Sequence, residues 1–308
     1  MTITNLLGIK YPIFQGAMAQ IARHELVSAV SNAGALGILA SGGVSPEELR
    51  KEIQQCKEFT DKPFAVNLML MMPNIDEIID VVIEEGVKIV TTGAGTPRKL
   101  MPRLKEAGIK VIPVIPSVKA AVKMEELGCD AVVVEGMEAG GHVGTSTTMA
   151  LLPQVTSAVN IPVIAAGGIA DGRGMAAAYC LGASGVQMGT VFLASEECPV
   201  TDAYKNMILE AVDTSTTLTG EKFGAPVRGI KNELTKKYHE LEERSSTLME
   251  LEELTLGSLR RAVYDGDVEN GSVMAGQIAG LVNEIRPVKN IIEDVIKEAR
   301  EVLKRTEI

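Results

Sequence analysis

Short apolar runs alternate with amphipathic segments along the first two-thirds of the chain. The runs fall at residues 12–15, 36–39, 64–68, 88–92, 111–115, 131–134, 163–166 and 186–188. Between them, residues 25–32, 46–58, 75–85, 97–107, 118–127, 150–158 and 174–181 place apolar side chains at helical spacing. The runs are apolar almost throughout, as strands covered on both faces should be. Punctuation agrees with this reading. Ser45, Pro46, Glu47 and Glu48 supply an N-cap, a first-turn proline and early acids, and Gly34, Gly86, Gly108, Gly128 and Gly182 end helices. Strict strand–helix alternation predicts a parallel sheet.

Eight strands can close into a barrel or lie open as a doubly wound sheet. An open dinucleotide-binding sheet carries GxGxxG after its first strand, and Gln15-Gly16-Ala17-Met18 does not match it. Glycines gather instead after strands seven and eight, at Gly167-Gly168 and at Gly189-Thr190. Those loops form the phosphate site of many TIM barrels, where exposed N–H groups hold a dianion. The expected fold class is therefore α/β, a (β/α)8 TIM barrel over residues 1–198.

Past Cys198-Pro199 the rhythm stops, and strand-like runs give way to helical patterns at 202–212, 232–243, 251–263, 273–282 and 286–306. This predicts a smaller helical substrate or lid domain over 199–284, then a C-terminal helix over 285–308 that packs back on the barrel.

Composition narrows the function. The chain has 308 residues, 46% of them hydrophobic, so it can bury a large core; it has no tryptophan and fourteen methionines. A net charge of −10 argues against general nucleic-acid or anionic-membrane binding. Nothing at the N-terminus resembles a signal peptide, and no apolar run is long enough to span a membrane. Cys56, Cys129, Cys180 and Cys198 make no CxxC pair and no metal spacing. They read as reduced thiols of a cytoplasmic protein, with Cys129 and Cys180 buried beside barrel elements.

The stretch from Glu135 to Gly144 carries the most chemistry. Four glycines in ten residues follow an apolar strand, and His142, one of three histidines, stands among them. Glycine lets the backbone turn sharply and approach a ligand closely. A titratable side chain in such a loop is where parallel α/β enzymes keep their chemistry. His24 opens the first helix and His239 lies in a polar helix, so both are weaker candidates.

Taken together, Pro12-Ile13-Phe14-Gln15-Gly16-Ala17-Met18, Val66-Asn67, the loop from Glu135 to Gly144, the stretch from Ala165 to Asp171 and Gln187-Met188-Gly189-Thr190 resemble the 2-nitropropane dioxygenase-like flavoproteins. That superfamily holds nitronate monooxygenases and the FMN-dependent (type II) enoyl-[acyl-carrier-protein] reductases. The resemblance is nearest to the reductase branch, through Thr91-Thr92-Gly93-Ala94-Gly95, the Glu135–His142 block and the stretch from Gly271 to Gly280. Nitronate monooxygenases usually carry Gln where this chain has Glu135.

The resemblance implies FMN at the C-terminal face of the barrel, reduced by NADPH or NADH, which then reduces the trans-2 double bond of an enoyl thioester. By motif position, Gly167, Gly168, Gly189 and Thr190 hold the FMN phosphate, with Gln187 and Met188 nearby. Gly16, Ala17, Met18 and Asn67 line the isoalloxazine, and Glu135, Gly140 and Gly141 complete the site. His142 is the expected proton or hydrogen-bond donor to the thioester, and Glu138 is expected to stabilise its loop by a hydrogen bond. A homodimer and an acidic acyl-carrier protein are the implied partners. Lys222, Arg228, Lys231, Lys236 and Lys237 form the densest positive excess available to receive the carrier. A monovalent-cation requirement is left open. The competing readings are a nitronate monooxygenase and a non-catalytic flavin- or phosphate-binding barrel; a barrel of the IMP dehydrogenase type lacks a suitably placed cysteine.

Overall fold

Each apolar run folds as a parallel strand, and helices between successive strands cover the outside of the sheet. In the computed structural model, which describes residues 2–244 and 247–305, the strands are β1 (Ile13–Gln15), β2 (Gly37–Ala40), β3 (Phe64–Met69), β4 (Ile89–Gly93), β5 (Lys110–Ile115), β6 (Val132–Glu135), β8 (Val163–Ala166) and β9 (Gly185–Met188). A further short strand, β7 (Gly141–His142), lies outside this sheet. The order around the sheet is β1-β9-β8-β6-β5-β4-β3-β2. A parallel bridge between Phe14 and Leu36 brings the two ends together, which makes the sheet a (β/α)8 TIM barrel. The side chain of Gln15 reinforces that seam, accepting from the Ile38 N–H at 3.2 Å and donating to the Ile38 carbonyl at 3.4 Å.

Alternation along the strands sorts the core into two layers. Phe14, Ile38, Ala65, Ile112, Val133 and Ile164 fill the barrel. Their chain neighbours Ile13, Leu39, Val66, Val111, Val132 and Val163 face the surrounding helices. Helix α1 (Ile3–Leu7) contributes Ile3 and Leu7 to the inner layer and closes the end where the strands begin.

The outer ring consists of α2 (His24–Asn32), α3 (Pro46–Phe59), α4 (Ile75–Glu84), α5 (Met101–Glu106), α6 (Val118–Glu126), α7 (Thr148–Thr156) and α8 (Gly172–Cys180). Ser45 caps α3 in a full capping box with Glu48, as its sequence predicts. A four-residue helix, α9 (Thr190–Leu193), follows β9. Cys56, Cys129 and Cys198 are buried free thiols, but Cys180 is exposed at the end of α8, against expectation. That helix buries Met175, Ala176 and Ala178, which leaves Cys180 on the outward side. No described helix is long and apolar enough to cross a membrane.

Beyond residue 198 the secondary structure departs from the all-helical expectation. Helix α10 (Asp202–Leu209) leads into a hairpin of β10 (Thr216–Thr219) and β11 (Val227–Ile230), whose turn contains Gly220 and Gly224 in the left-handed region. Three threonines in four residues look polar, yet β-branched side chains favour a half-buried strand. Helices α11 (Glu233–Glu243), α12 (Leu248–Thr255) and α13 (Ser258–Arg260) follow, and α13 runs into a π-helical turn over Arg261–Asp265. The predicted helix over 273–282 does not form. Its three flanking and internal glycines leave an extended segment, bridged at Met274 to Gly229, with one 3-10 turn at Gln277–Leu281. Finally α14 (Val288–Arg305) packs on α8 and α2; its expected end at residue 306 lies outside the described residues.

Candidate active site

The barrel mouth is built from strand ends whose inward positions carry polar side chains. Below this level the inward residues are apolar; at it stand Asn67 on β3, Thr91 on β4, Glu135 on β6 and Gln187 on β9. Asn67 donates to the Thr91 hydroxyl at 2.9 Å, which fixes both. Gln187 lies against Gly16, where a Cβ would stand 3.3 Å from its amide. Gly16 donates its N–H to the Met188 carbonyl at 2.9 Å, so the first and last strand ends are locked together. Met18 lies beside Gly189, with its sulfur 3.7 Å from where a Cβ would be. Ala17 packs on the inner core. The Met188 side chain, expected near the ligand, instead belongs to the outer hydrophobic layer because strand alternation turns it away from Gln187.

Glu135 is the distinctive group at this level. It follows the wholly buried Val132, Val133 and Val134 and is in register with Ala166, which is in turn in register with Gln187. Among the described residues its carboxyl has no hydrogen-bond or ion-pair partner. Burial without compensation pushes its pKa up to about 7.

Gly167 and Gly168 leave β8 with φ of +91° and +76°, a consecutive left-handed pair that other residues rarely adopt. The turn is held by Thr148, whose hydroxyl donates toward the carbonyls of Gly167 at 2.9 Å and Ala166 at 3.1 Å. Glu138 accepts from the Thr148 N–H at 2.9 Å and so caps the start of α7, the loop-stabilising role expected of it. Thr190 opens α9, and its hydroxyl oxygen accepts from the Gly276 N–H at 2.8 Å.

The loop carrying His142 is held from outside the barrel. The Gln277 N–H donates to the Glu138 carbonyl at 2.9 Å. Gly140 lies against the backbone of Ala275 and Gly276, so close that a Cβ would come within 2.7 Å of the Ala275 carbonyl carbon. Arg228 donates its Nε–H to the Met137 carbonyl at 3.1 Å and an Nη1–H to the Thr216 hydroxyl at 3.2 Å. Gly141 and His142 then form β7, which pairs antiparallel with β11 in the register Gly141–Arg228 and His142–Val227. The order of the small sheet is β10-β11-β7. His142 is exposed on it.

Arg228 was expected on a carrier-docking surface. It is 4% exposed, and desolvation lowers its pKa. Its loop-holding role, and that of Gly276 and Gln277, were not anticipated. The available signal was alternation: Arg228 shares its strand face with Ile230, which is also buried.

Two other clusters are already satisfied. His24, Glu25 and Glu52 bring ligand-type atoms within 4.8 Å of one another. Glu52 is engaged there, accepting from the His24 backbone N–H at 2.8 Å and its Nδ1 at 3.1 Å. A groove of about 460 Å³ opens at the opposite end of the barrel, but its charged residue, Asp130, is paired with Lys105 and Lys110. The polar inward ring and the glycine turns at the C-terminal mouth remain the candidate site.

Comparison with known proteins agrees with this architecture. The structure is similar to that of FabK from Thermotoga maritima, at TM-score 0.96 and 51% sequence identity, covering 99% of this chain and 98% of that one. A probable nitronate monooxygenase of Staphylococcus saprophyticus is 37% identical, with 98% of each chain covered. A Mycobacterium tuberculosis protein named as a hydroxy-methyl-oxo-octahydroindene-carboxyl-CoA dehydrogenase is 36% identical over 96% of this chain and 95% of its own. The family model described as "Nitronate monooxygenase" matches residues 1–79 and 74–298, and the chain belongs to that family.

Proposed function

We propose that this protein is an FMN-dependent enoyl-[acyl-carrier-protein] reductase that uses NADPH or NADH to saturate the trans-2 double bond of an enoyl thioester. The observation that carries this reading is the 51% identity to FabK over 99% of the chain.

The mouth suits a flat, phosphorylated cofactor. Gly16 leaves a face beside Gln187 that a Cβ would crowd, and Gly167-Gly168 turn sharply at the end of β8, the strand paired with the β9 that leads into Gly189 and Thr190. In this assignment Gly167, Gly168, Gly189 and Thr190 bind the phosphate. Gly16, Ala17, Met18, Asn67, Gln187, Glu135, Gly140 and Gly141 surround the ring, and Met188 contributes backbone only. Bound FMN supplies hydride transfer between nicotinamide and acyl substrate.

The chain's own residues handle position and protons. A hydride delivered to Cβ leaves negative charge on Cα and the thioester oxygen, which a positioned donor must stabilise or quench. His142 stands free on β7 to hydrogen-bond that oxygen or give the Cα proton, directly or through water. The loop's backbone contacts with residues 275–277 hold it in place for this role. One open mouth serves both substrates, so nicotinamide leaves before the acyl group enters, giving ping-pong kinetics. Intersecting initial-velocity lines at all concentrations would count against that order.

The second reading is a nitronate monooxygenase, favoured by the Staphylococcus relative. An anaerobic experiment separates the two. In the reductase, NADPH or NADH bleaches the bound flavin and crotonyl thioester restores its colour. In the monooxygenase, an alkyl nitronate bleaches it and only oxygen restores it. The reductase reading is abandoned if crotonyl thioester leaves the flavin bleached.

A further inference from the structure

A carboxyl group that points into a ligand site without a partner needs an explanation, because burying an unpaired charge is unfavourable. Glu135, half-buried at the barrel mouth, is such a group. The residues facing it across the mouth are uncharged: Ala166 and Gln187 on β8 and β9, Asn67 and Thr91 on β3 and β4, and Val114 on the adjoining β5. The titratable groups near it in the same loop system make no contact with its carboxyl. Glu138 caps α7, Arg228 holds the Met137 carbonyl, and exposed His142 lies on the outer sheet. Nothing within the site therefore balances a negative charge on Glu135.

We propose that Glu135 is a proton-linked ligand group: when a flat ring covers the barrel mouth, its carboxylate takes up one proton from solvent and meets the ring as a neutral O–H donor. This deepens the flavin reading above and rests on it. A covering ring removes the remaining water from Glu135 and further disfavours the charged form. The neutral acid also keeps negative charge away from a cofactor that gains electrons in turnover.

Burial already pushes the Glu135 pKa up to about 7 without a covering ring, so near neutrality part of the population is still charged and must gain a proton on binding. The sign follows: the bound state holds the proton more tightly, so affinity is greatest below pH 7 and weakens above it, by up to about tenfold per pH unit.

The test uses the full-length protein freed of flavin, as wild type and as Glu135→Gln. Calorimetric titration with FMN at pH 7, in buffers of different ionisation enthalpy, counts protons. Wild type should take up more protons than E135Q, by up to one per site, since the FMN phosphate contributes equally to both. Infrared difference spectra of flavin-free wild type against pH, which need no variant, should show a carboxylic acid losing its proton near neutrality. Equal proton counts in the two proteins overturn the proposal, as does a flavin-free Glu135 carboxyl that already holds its proton well above neutrality. FMN binding with equal proton counts leaves the flavin reading standing. Failure of wild type to bind FMN overturns that reading and the coupling together.

Discussion

The hydroxyl oxygen of Thr190 accepts the backbone N–H of Gly276 at 2.8 Å, a buried bond between the first residue of α9 and the extended segment near the C-terminus. It joins the predicted phosphate turn to the support of the His142 loop. Thr190→Val keeps the shape but orphans a buried N–H, and should destabilise the protein by about 1–3 kcal/mol. Thr190→Ser should recover most of that in denaturant melts. Equal losses from the two substitutions would show that the hydroxyl is not what matters.

Gly140 and Gly276 meet backbone to backbone. A Cβ on Gly276 would approach the Glu138 carbonyl oxygen to 2.7 Å, and one on Gly140 would approach the Gly276 nitrogen to 2.8 Å. The φ of Gly276 is −80°, an ordinary value, so the penalty for Gly276→Ala is steric. Each alanine should cost about 1–3 kcal/mol. Because both push the same two segments apart, the double variant should lose less than the sum of the singles. Strict additivity in urea unfolding would rule out the shared contact.

Glu135 makes stability depend on pH. Its folded pKa of about 7 lies above that of an unfolded glutamate, so its neutral form favours folding. That contribution is complete below about pH 4 and is lost as the pH rises through about 7. Glu135→Gln should therefore leave Tm unchanged in acid and raise it at pH 8.5 in the flavin-free protein. The gain has an upper bound of about 3 kcal/mol. An identical Tm difference at both pH values would contradict the assignment.

His142→Ala should retain FMN and its reduction by nicotinamide while slowing crotonyl turnover by about 10²- to 10⁴-fold, the range for a lost general acid. Stopped-flow measurement of the two half-reactions separates these effects. Full enoyl turnover by the variant would remove His142 from the chemistry.

The proposed carrier-docking surface is reduced to fewer residues. Lys231, Lys236 and Lys237 are exposed, although Lys236 lies near Glu233 and Lys237 bonds Asn270. Lys222 is held by the Glu242 carbonyl, and Arg228 is interior. Charge reversal at Lys231 and Lys236 should raise KM for a carrier-linked enoyl substrate and spare a short thioester analogue. Matching effects on the two substrates would reject the docking surface.

The barrel was legible because its strands are apolar runs separated by capped helices, patterns that local sequence alone can carry. Ser45 and Glu48 illustrate this, since the box they form needs no tertiary partner. The hairpin was not legible. Thr216–Thr219 has the polarity of a loop and becomes a strand only by pairing with β11. The contact between Gly140 and Gly276 leaves no side-chain trace in either segment, as it is made by backbone alone. Arg228 misleads for the opposite reason: a cation is assumed to face water until the hydrogen bonds that compensate its burial are known. The inward placement of Glu135 could have been counted from Val133 by twos, and the outward turn of the Met188 side chain by the same count from Gln187.

The pairing of β7 with β11 also constrains how the chain can change. Side chains alternate across a strand, so inserting or deleting one residue near position 142 would turn His142 to the opposite face of the small sheet. A compensating change would have to occur in the hairpin, some 85 residues later in the chain. The two stretches are therefore expected to vary in length together across related proteins, as a single inherited unit.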